Sequence, residues 1–294
     1  MPDSTSIAYV NGAFLPLGEA RVSILDRGFQ FADGVYEVIP VYGGRPFRLD
    51  AHLRRLERSL NEIRMSPPMD REALGERIRE LITRNGGSDC QQVYLQVTRG
   101  EAPRNHPFPR EVHPTVVMTC SPVPPVPAEW VQDGVSVITA EDIRWARCDI
   151  KSIALLPNVM MRQKAADAGA YEALWVHEGA VQEGAASNVF AVYGGQAVTP
   201  PDGPRVLPGI TRDVVLELAE ERGLPVSTGS IAASDLARAE EIWLTSSTKE
   251  VLPVTRLDGE PVGDGRPGPL FRSVLDAYRA RIGELRARAE EEQP

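Results

Sequence analysis

The chain has 294 residues, 42% hydrophobic and 25% charged, with a formal net charge of −9, a length that suggests about two domains, each able to bury its own core. The acidic balance argues against a nucleic-acid partner, since neutralising phosphates takes clustered Lys and Arg. No run of about 18 apolar residues occurs, so neither a membrane span nor a membrane partner is expected.

In chain order, Ile7–Val10 and Val35–Tyr42 read as strands, the second interrupted by Pro40. Leu49, Leu53, Leu56, Leu60 and Ile63 recur at spacings of three and four, which predicts an amphipathic helix over Leu49–Ile63. Asp70–Leu81 is a second helix, and Val93–Thr98 and Thr115–Thr119 are strands. Strands first, then helices packed on them, then strands again point to an α+β layer. The stretch Ser121–Pro127 carries four prolines in seven residues, too many for a helix or a central strand. It predicts an extended linker over 121–128, between an N-terminal domain (1–120) and a C-terminal domain (129–294). Downstream, Val135–Thr139, Glu172–His177, Val189–Tyr193 and Glu241–Thr245 read as strands. Helices are expected at Val159–Ala168, Thr211–Arg222, Ser234–Ala239 and from Leu270 to about Arg288, before a frayed polar tail at Glu290–Pro294.

The start of the chain lacks a basic stretch followed by an apolar one, so no secretory signal is expected. Cys90, Cys120 and Cys148 are odd in number and widely spaced, which suits a reducing cytoplasm. The four histidines form no close ligand pair, so no metal site is expected. No glycine-rich dinucleotide or nucleotide-phosphate motif occurs.

Of the 32 basic residues only Lys151, Lys164 and Lys249 are lysines. An amine can lose its proton and attack a carbonyl, which arginine cannot do. Lys151 leads into an apolar stretch that would partly desolvate it, whereas Lys164 and Lys249, with charged neighbours, read as surface charges. Glu183 follows a turn and precedes small residues that would admit a flat ring, so its carboxylate could hold a ring nitrogen protonated. Pro208-Gly209-Ile210-Thr211 enters a helix whose first-turn N–H groups could meet a phosphate, and Thr245-Ser246-Ser247-Thr248 ends a strand with four hydroxyls. Arg55, on the Leu53/Leu56 helix, could reach under the same anion, and the loop Arg99–Pro109 carries Arg104 and His106, two donors for one carboxylate.

Taken in order, Asp149-Ile150-Lys151-Ser152, Glu183-Gly184-Ala185-Ala186-Ser187-Asn188-Val189-Phe190 and Gly209-Ile210-Thr211-Arg212 resemble the fold-type IV pyridoxal-phosphate enzymes. The likeness runs almost end to end, from Tyr9-Val10-Asn11-Gly12 through Asp26-Arg27-Gly28 and Gly34-Val35-Tyr36-Glu37 to the hydroxyl run. It implies a two-domain α+β fold, with a small N-terminal domain, a larger C-terminal domain with a β-barrel-like core, and pyridoxal 5′-phosphate between the halves. It implies that Lys151 forms the Schiff base and shuttles the proton, that Glu183 partners the pyridine nitrogen, and that Leu207 packs on the ring. Arg55, Ile210, Thr211, Ser246 and Ser247 would cup the phosphate. Tyr36, Arg104 and His106 resemble the carboxylate trap of the D-amino acid aminotransferases, in which the loop comes from the partner of a homodimer. The expected activity is transamination between a D-amino acid, such as D-alanine or D-glutamate, and a 2-oxo acid. Branched-chain L-amino acid and (R)-amine transaminases and aminodeoxychorismate lyase are the alternatives within the fold, and a non-catalytic binding protein is the alternative outside it. The chain departs from the D-specific pattern in carrying Ala185-Ala186 where a serine run is usual, and in Pro40 and Pro208.

Overall fold

A computed structural model describes residues 6–86 and 89–291. The chain divides into two compact units: Met1–Pro124 with Ile150–Ala154 and Ile282–Pro294, and Pro125–Asp149 with Leu155–Arg281. The segment holding Lys151 therefore belongs to the first unit, although it follows the proline-rich stretch.

In the first unit the order is β1 (Ile7–Val10), β2 (Ala13–Pro16), α1 (Arg27–Phe31), β3 (Gly34–Tyr42), β4 (Arg45–Pro46), α2 (Leu49–Glu62), α3 (Arg71–Arg84), β5 (Cys90–Thr98) and β6 (Thr115–Pro122). The strands form an antiparallel six-stranded sheet in the order β2-β1-β6-β5-β3-β4. Leu53, Leu56 and Leu60 of α2 and Leu74, Ile78 and Leu81 of α3 pack on Ile39, Val93, Leu95 and Val97 of the sheet. Burying such side chains supplies about 1.5–3 kcal/mol each, which holds the two helices on one sheet face. The stripe that buries the leucines is flanked on α2 by buried His52, Arg55 and Ser59. Asp70 caps α3 by accepting from the Ala73 N–H at 2.8 Å.

β3 is continuous through Pro40, contrary to the sequence expectation. The Pro40 carbonyl accepts from the Phe47 N–H at 2.8 Å, so the missing donor of Pro40 lies on the outer edge of β3, where it deprives no central strand of a partner. The same edge receives the Lys151 segment: the Tyr36 N–H donates to the Lys151 carbonyl at 3.0 Å, the Ile153 N–H donates to the Gly34 carbonyl at 3.1 Å, and Val35 bridges Ser152. The expected linker is also more ordered than its composition suggests, since Ser121 and Pro122 finish β6 and Ala128 starts a helix.

In the second unit the order is α4 (Ala128–Gln132), β7 (Val135–Glu141), α5 (Leu156–Asp167), β8 (Glu172–His177), β9 (Ala180–Gly184), β10 (Asn188–Tyr193), β11 (Gln196–Thr199), α6 (Ile210–Arg222), β12 (Val226–Thr228), β13 (Ile231–Ala232), β14 (Glu241–Ser246), β15 (Glu250–Leu257), β16 (Glu260–Pro261) and α7 (Pro269–Glu291), of which the residues from Ile282 on belong to the first unit. Ten strands make one mixed sheet, ordered β12-β11-β10-β14-β15-β7-β8-β9-β13, with β16 on β15. β9 and β10 stand far apart in that order yet touch, so the sheet curls into a half-barrel. Its core includes Val137, Leu174, Val189, Leu244, Leu252 and Val254. Gly223 ends α6 in the left-handed conformation, φ 63°.

The expected helix at Ser234–Ala239 is a 3-10 turn over Ala233–Arg238. The short strands β2, β4, β9, β11, β12, β13 and β16, and the longer β15, were not foreseen: most are too short for a periodic signal, and Pro253 disguises β15. Helix α7 runs to Glu291, and 292–294 of the polar tail lie outside the described residues.

Candidate active site

In the first unit, pairing with the edge of β3 fixes the backbone of Lys151, and the Lys151 N–H donates to Ser59 Oγ at 3.3 Å. The Lys151 side chain is half-buried, as the apolar stretch implied, and its Nζ lies 4.3 Å from the centroid of the Tyr36 ring. Tyr36 is backed by Tyr94 at 5.7 Å between centroids. By contrast, Lys164 is exposed, and Lys249 is half-buried with Nζ 5.6 Å from the Trp130 ring, a correction to its reading as a surface charge.

Arg55 is buried and turns one edge of its guanidinium onto Glu37, with Nε to Oε1 at 2.8 Å and Nη2 to Oε2 at 2.7 Å. His52 Nδ1 meets the same Oε2 at 2.8 Å. Burial alone would push the Glu37 carboxyl up, but Arg55 and His52 outweigh it and hold the group at about 2. Burial pushes the His52 ring below its ordinary value, against the opposing pull of Glu37, so the imidazole is held neutral and donates through Nδ1. Neither Glu37 nor His52 was a candidate in the sequence, although His52, Arg55 and Ser59 share one helical stripe at spacings of three and four.

Arg104 and His106 are brought together, on the Phe31 ring rather than on Tyr36: the Arg104 Cζ is 5.0 Å and the His106 ring 5.3 Å from its centroid. Both side chains are exposed, and their loop is held from below by Arg27.

In the second unit, Glu183 lies buried on β9. Its Oε1 accepts from Arg144 Nη1 at 2.5 Å, and its Oε2 accepts from the Leu207 N–H at 3.0 Å and from Asn188 Nδ2 at 3.3 Å. Arg144 in turn grips Asp142, with Nε to Oδ1 and Nη2 to Oδ2 both at 2.9 Å. Burial opposes the Arg144 charge, but Asp142 and Glu183 overcome it and raise its pKa. Arg144 and Asp142 were invisible in the sequence, because their partner Glu183 lies on a distant strand.

Asn188 also donates to the Leu207 carbonyl at 2.9 Å, which ties β10 to the turn before α6. Ile210 and Thr211 are buried in the first turn of α6, where backbone N–H groups lack intrahelical acceptors. Pro208 leaves this helix start intact. Ser246 closes β14 and Ser247 follows in the turn, while the neighbouring Thr245 Oγ1 is buried without a hydrogen-bond partner. The donor set suits a phosphate, and Glu183 suits a pyridine nitrogen.

The second unit thus carries a buried carboxylate and a donor-rich helix start on a half-barrel, and the first unit carries a lysine on a sheet edge. Residues 34–257 match the family described as amino-transferase class IV, and the chain belongs to that family. It is 44% identical over 272 residues to the D-alanine aminotransferase of Bacillus licheniformis, a match covering 92% of this chain and 95% of the other. Among solved structures it is similar to the branched-chain amino acid aminotransferase of Escherichia coli, with a TM-score of 0.88, 25% identity and 95% of each chain covered. It is also similar to the branched-chain aminotransferase of Thermoproteus uzoniensis solved with norvaline, with a TM-score of 0.84, 26% identity and 94% of each chain covered. The chain is therefore an aminotransferase, and its cofactor is that of the class, pyridoxal 5′-phosphate.

Proposed function

We propose that the protein transfers the amino group between a D-amino acid, D-alanine or D-glutamate, and a 2-oxo acid. The observation that carries this reading is the 44% identity to a D-alanine aminotransferase along nearly the whole of both chains, against 25% and 26% for the branched-chain enzymes of the same fold. The bound cofactor supplies an electron sink for the charge left when the substrate Cα loses its proton. Lys151, the half-buried amine, would carry the cofactor, take that proton and return it to the other carbon. Glu183, locked by Arg144, would hold the ring nitrogen protonated, and Leu207 would lie against the ring. The N–H groups of Ile210 and Thr211, the hydroxyls of Ser246 and Ser247 and the guanidinium of Arg55 would hold the phosphate. Tyr36, Arg104 and His106 would fix the substrate carboxylate, the orientation of which sets the enantiomer.

We further infer a homodimer in a cytoplasmic setting. Ile24 and Phe29 of the first unit are 74% and 78% exposed, and Leu156 and Val159 of the second are 70% and 61% exposed. Apolar side chains of that size in groups are ordinarily covered by a second subunit. Among the described residues, Cys90, Cys120 and Cys148 form no disulfide, which suits a reducing compartment.

Half-reactions with D-alanine, L-leucine and an (R)-amine, each paired with 2-oxoglutarate, test the substrate reading. D-Alanine is expected to turn over fastest. Faster turnover of L-leucine than of any D-amino acid would sink it in favour of a branched-chain enzyme.

A further inference from the structure

The arginine of the Asp26-Arg27-Gly28 stretch has no role in the reading above, yet its surroundings are among the most constrained of any exposed-loop support in the first unit. Arg27 opens α1 and is 3% exposed. Its Nε donates to Asp33 Oδ2 at 2.8 Å. Its other two nitrogens leave the helix: Nη1 donates to the carbonyl of Asn105 at 2.5 Å and Nη2 to the carbonyl of His106 at 3.1 Å. The guanidinium also lies over the Phe31 ring, 4.8 Å from its centroid, the same ring on which Arg104 and His106 rest. Asp33 is shared, since Arg99 donates to it at 2.8 Å and reaches the Ile63 carbonyl at 2.8 Å, which ties the base of the loop to the end of α2.

The carbonyls of two successive loop residues are thus held by one planar fork whose own orientation is set by a carboxylate on one side and an aromatic ring on the other. Fixing these two carbonyls fixes the peptide planes on either side of His106, and with them the direction in which its side chain leaves the backbone; Arg104 is placed beside it by the Phe31 ring that it shares with Arg27 and His106. A lysine could keep the ion pair with Asp33 but could not span both carbonyls, because its ammonium is a single point on a flexible stem.

We propose that Arg27 is a positioning residue for substrate recognition: it sets the conformation of Asn105 and His106, and so the angle at which Arg104 and His106 meet the substrate carboxylate. The proposal rests on the carboxylate role given to Arg104 and His106 above. All three nitrogens of the Arg27 guanidinium are engaged, by Asp33 and by the Asn105 and His106 carbonyls.

The test compares Arg27→Lys, Arg104→Ala and the double variant as holoenzymes, by steady-state kinetics with D-alanine, cofactor absorbance, and trypsin cleavage after Arg104. Arg27→Lys is expected to raise KM about tenfold with kcat within about twofold, as loss of uniform substrate binding requires, to leave the cofactor absorbance unchanged, and to speed cleavage of the loop. The double variant is expected to fall short of the product of the two single losses, because part of the Arg27→Lys effect passes through Arg104 and is already lost in Arg104→Ala. An unchanged KM in Arg27→Lys, beside a raised one in Arg104→Ala, overturns the Arg27 role and leaves the carboxylate reading standing; additive losses in the double variant do the same. A parental KM in Arg104→Ala overturns the carboxylate reading, and the positioning role with it. Should Arg27→Lys not fold, Phe31→Leu removes the ring beneath Arg104 and His106 while keeping the ion pair: a raised KM with kcat kept supports the proposal, and an unchanged KM overturns it.

Discussion

Glu183 and Arg144 form a buried ion pair, Oε1 to Nη1 at 2.5 Å, with side chains 7% and 5% exposed. Arg144 also neutralises Asp142, so one guanidinium answers two buried carboxylates. Arg144→Met is expected to take this charge partner from Glu183, to leave Asp142 only the longer contact with Arg205 Nη1 at 3.7 Å, and to cost about 3–5 kcal/mol of stability, the usual penalty for breaking a buried pair from one side. Thermal unfolding measures the loss. A melting temperature within about 2 °C of the parent would contradict the pairing described here.

Lys151→Ala should abolish transamination and the visible absorbance of the lysine-linked cofactor while preserving the fold. The backbone of residue 151 makes the sheet contact, through its carbonyl and N–H, and alanine keeps both. Circular dichroism together with absorbance separates the two effects, and a variant that keeps its parent's visible spectrum would remove Lys151 from its role.

Gly209→Ala should damage the start of α6. A Cβ there would sit 1.8 Å from Asn188 Oδ1 and 2.9 Å from its Cγ, and Asn188 is tied to both Glu183 and the Leu207 carbonyl. Displacing Asn188 is expected to cost about 1–3 kcal/mol and to weaken cofactor binding, read as a raised concentration of pyridoxal phosphate for half-saturation. The backbone of Gly209, at φ −80°, is ordinary, so the whole effect is one of space.

Acid should weaken the first unit in two stages. His52 is held neutral below its ordinary value of 6.5, so the unfolded chain binds its proton more readily than the folded one, and stability falls as pH drops below 6.5. Glu37, depressed from 4.5 to about 2, has the same sign, and its contribution is lost as pH falls from 4.5 towards 2. Melting temperature followed from about pH 7 to about pH 5 should decline in the parent and be flatter in His52→Asn, which can still donate to Glu37 but takes up no proton. Equal slopes would assign the decline to other groups.

The periodic elements were legible: the leucine stripe of α2 and the strands β1, β3, β5 and β6 lie where their spacing put them, because local burial dictates local pattern. Lys151 and Glu183 stood out through residue type and motif order. Their supports did not, for a physical reason. The edge pairing that seats Lys151 on β3, the Arg144 bridge to Glu183 and the grip of Arg27 on Asn105 and His106 all join residues distant in the chain, and no window of sequence contains both ends. Pro40 misled because a strand proline counts as a breaker until the side on which its missing donor falls is known.

The outer edge of β3 is divided between two neighbours: Val41 and Tyr42 pair with β4, while Gly34, Val35 and Tyr36 pair with the lysine segment, and Pro40 stands between. The first neighbour is adjacent in the chain and the second comes from far downstream, so during synthesis the hairpin can close at once, whereas the lysine segment must first overcome the entropy of closing a long loop. In that interval the unpaired edge is open to any passing strand. Without an N–H to offer, Pro40 gives the hairpin ladder no donor at that point, so the edge beyond it is left for the Lys151 segment to fill.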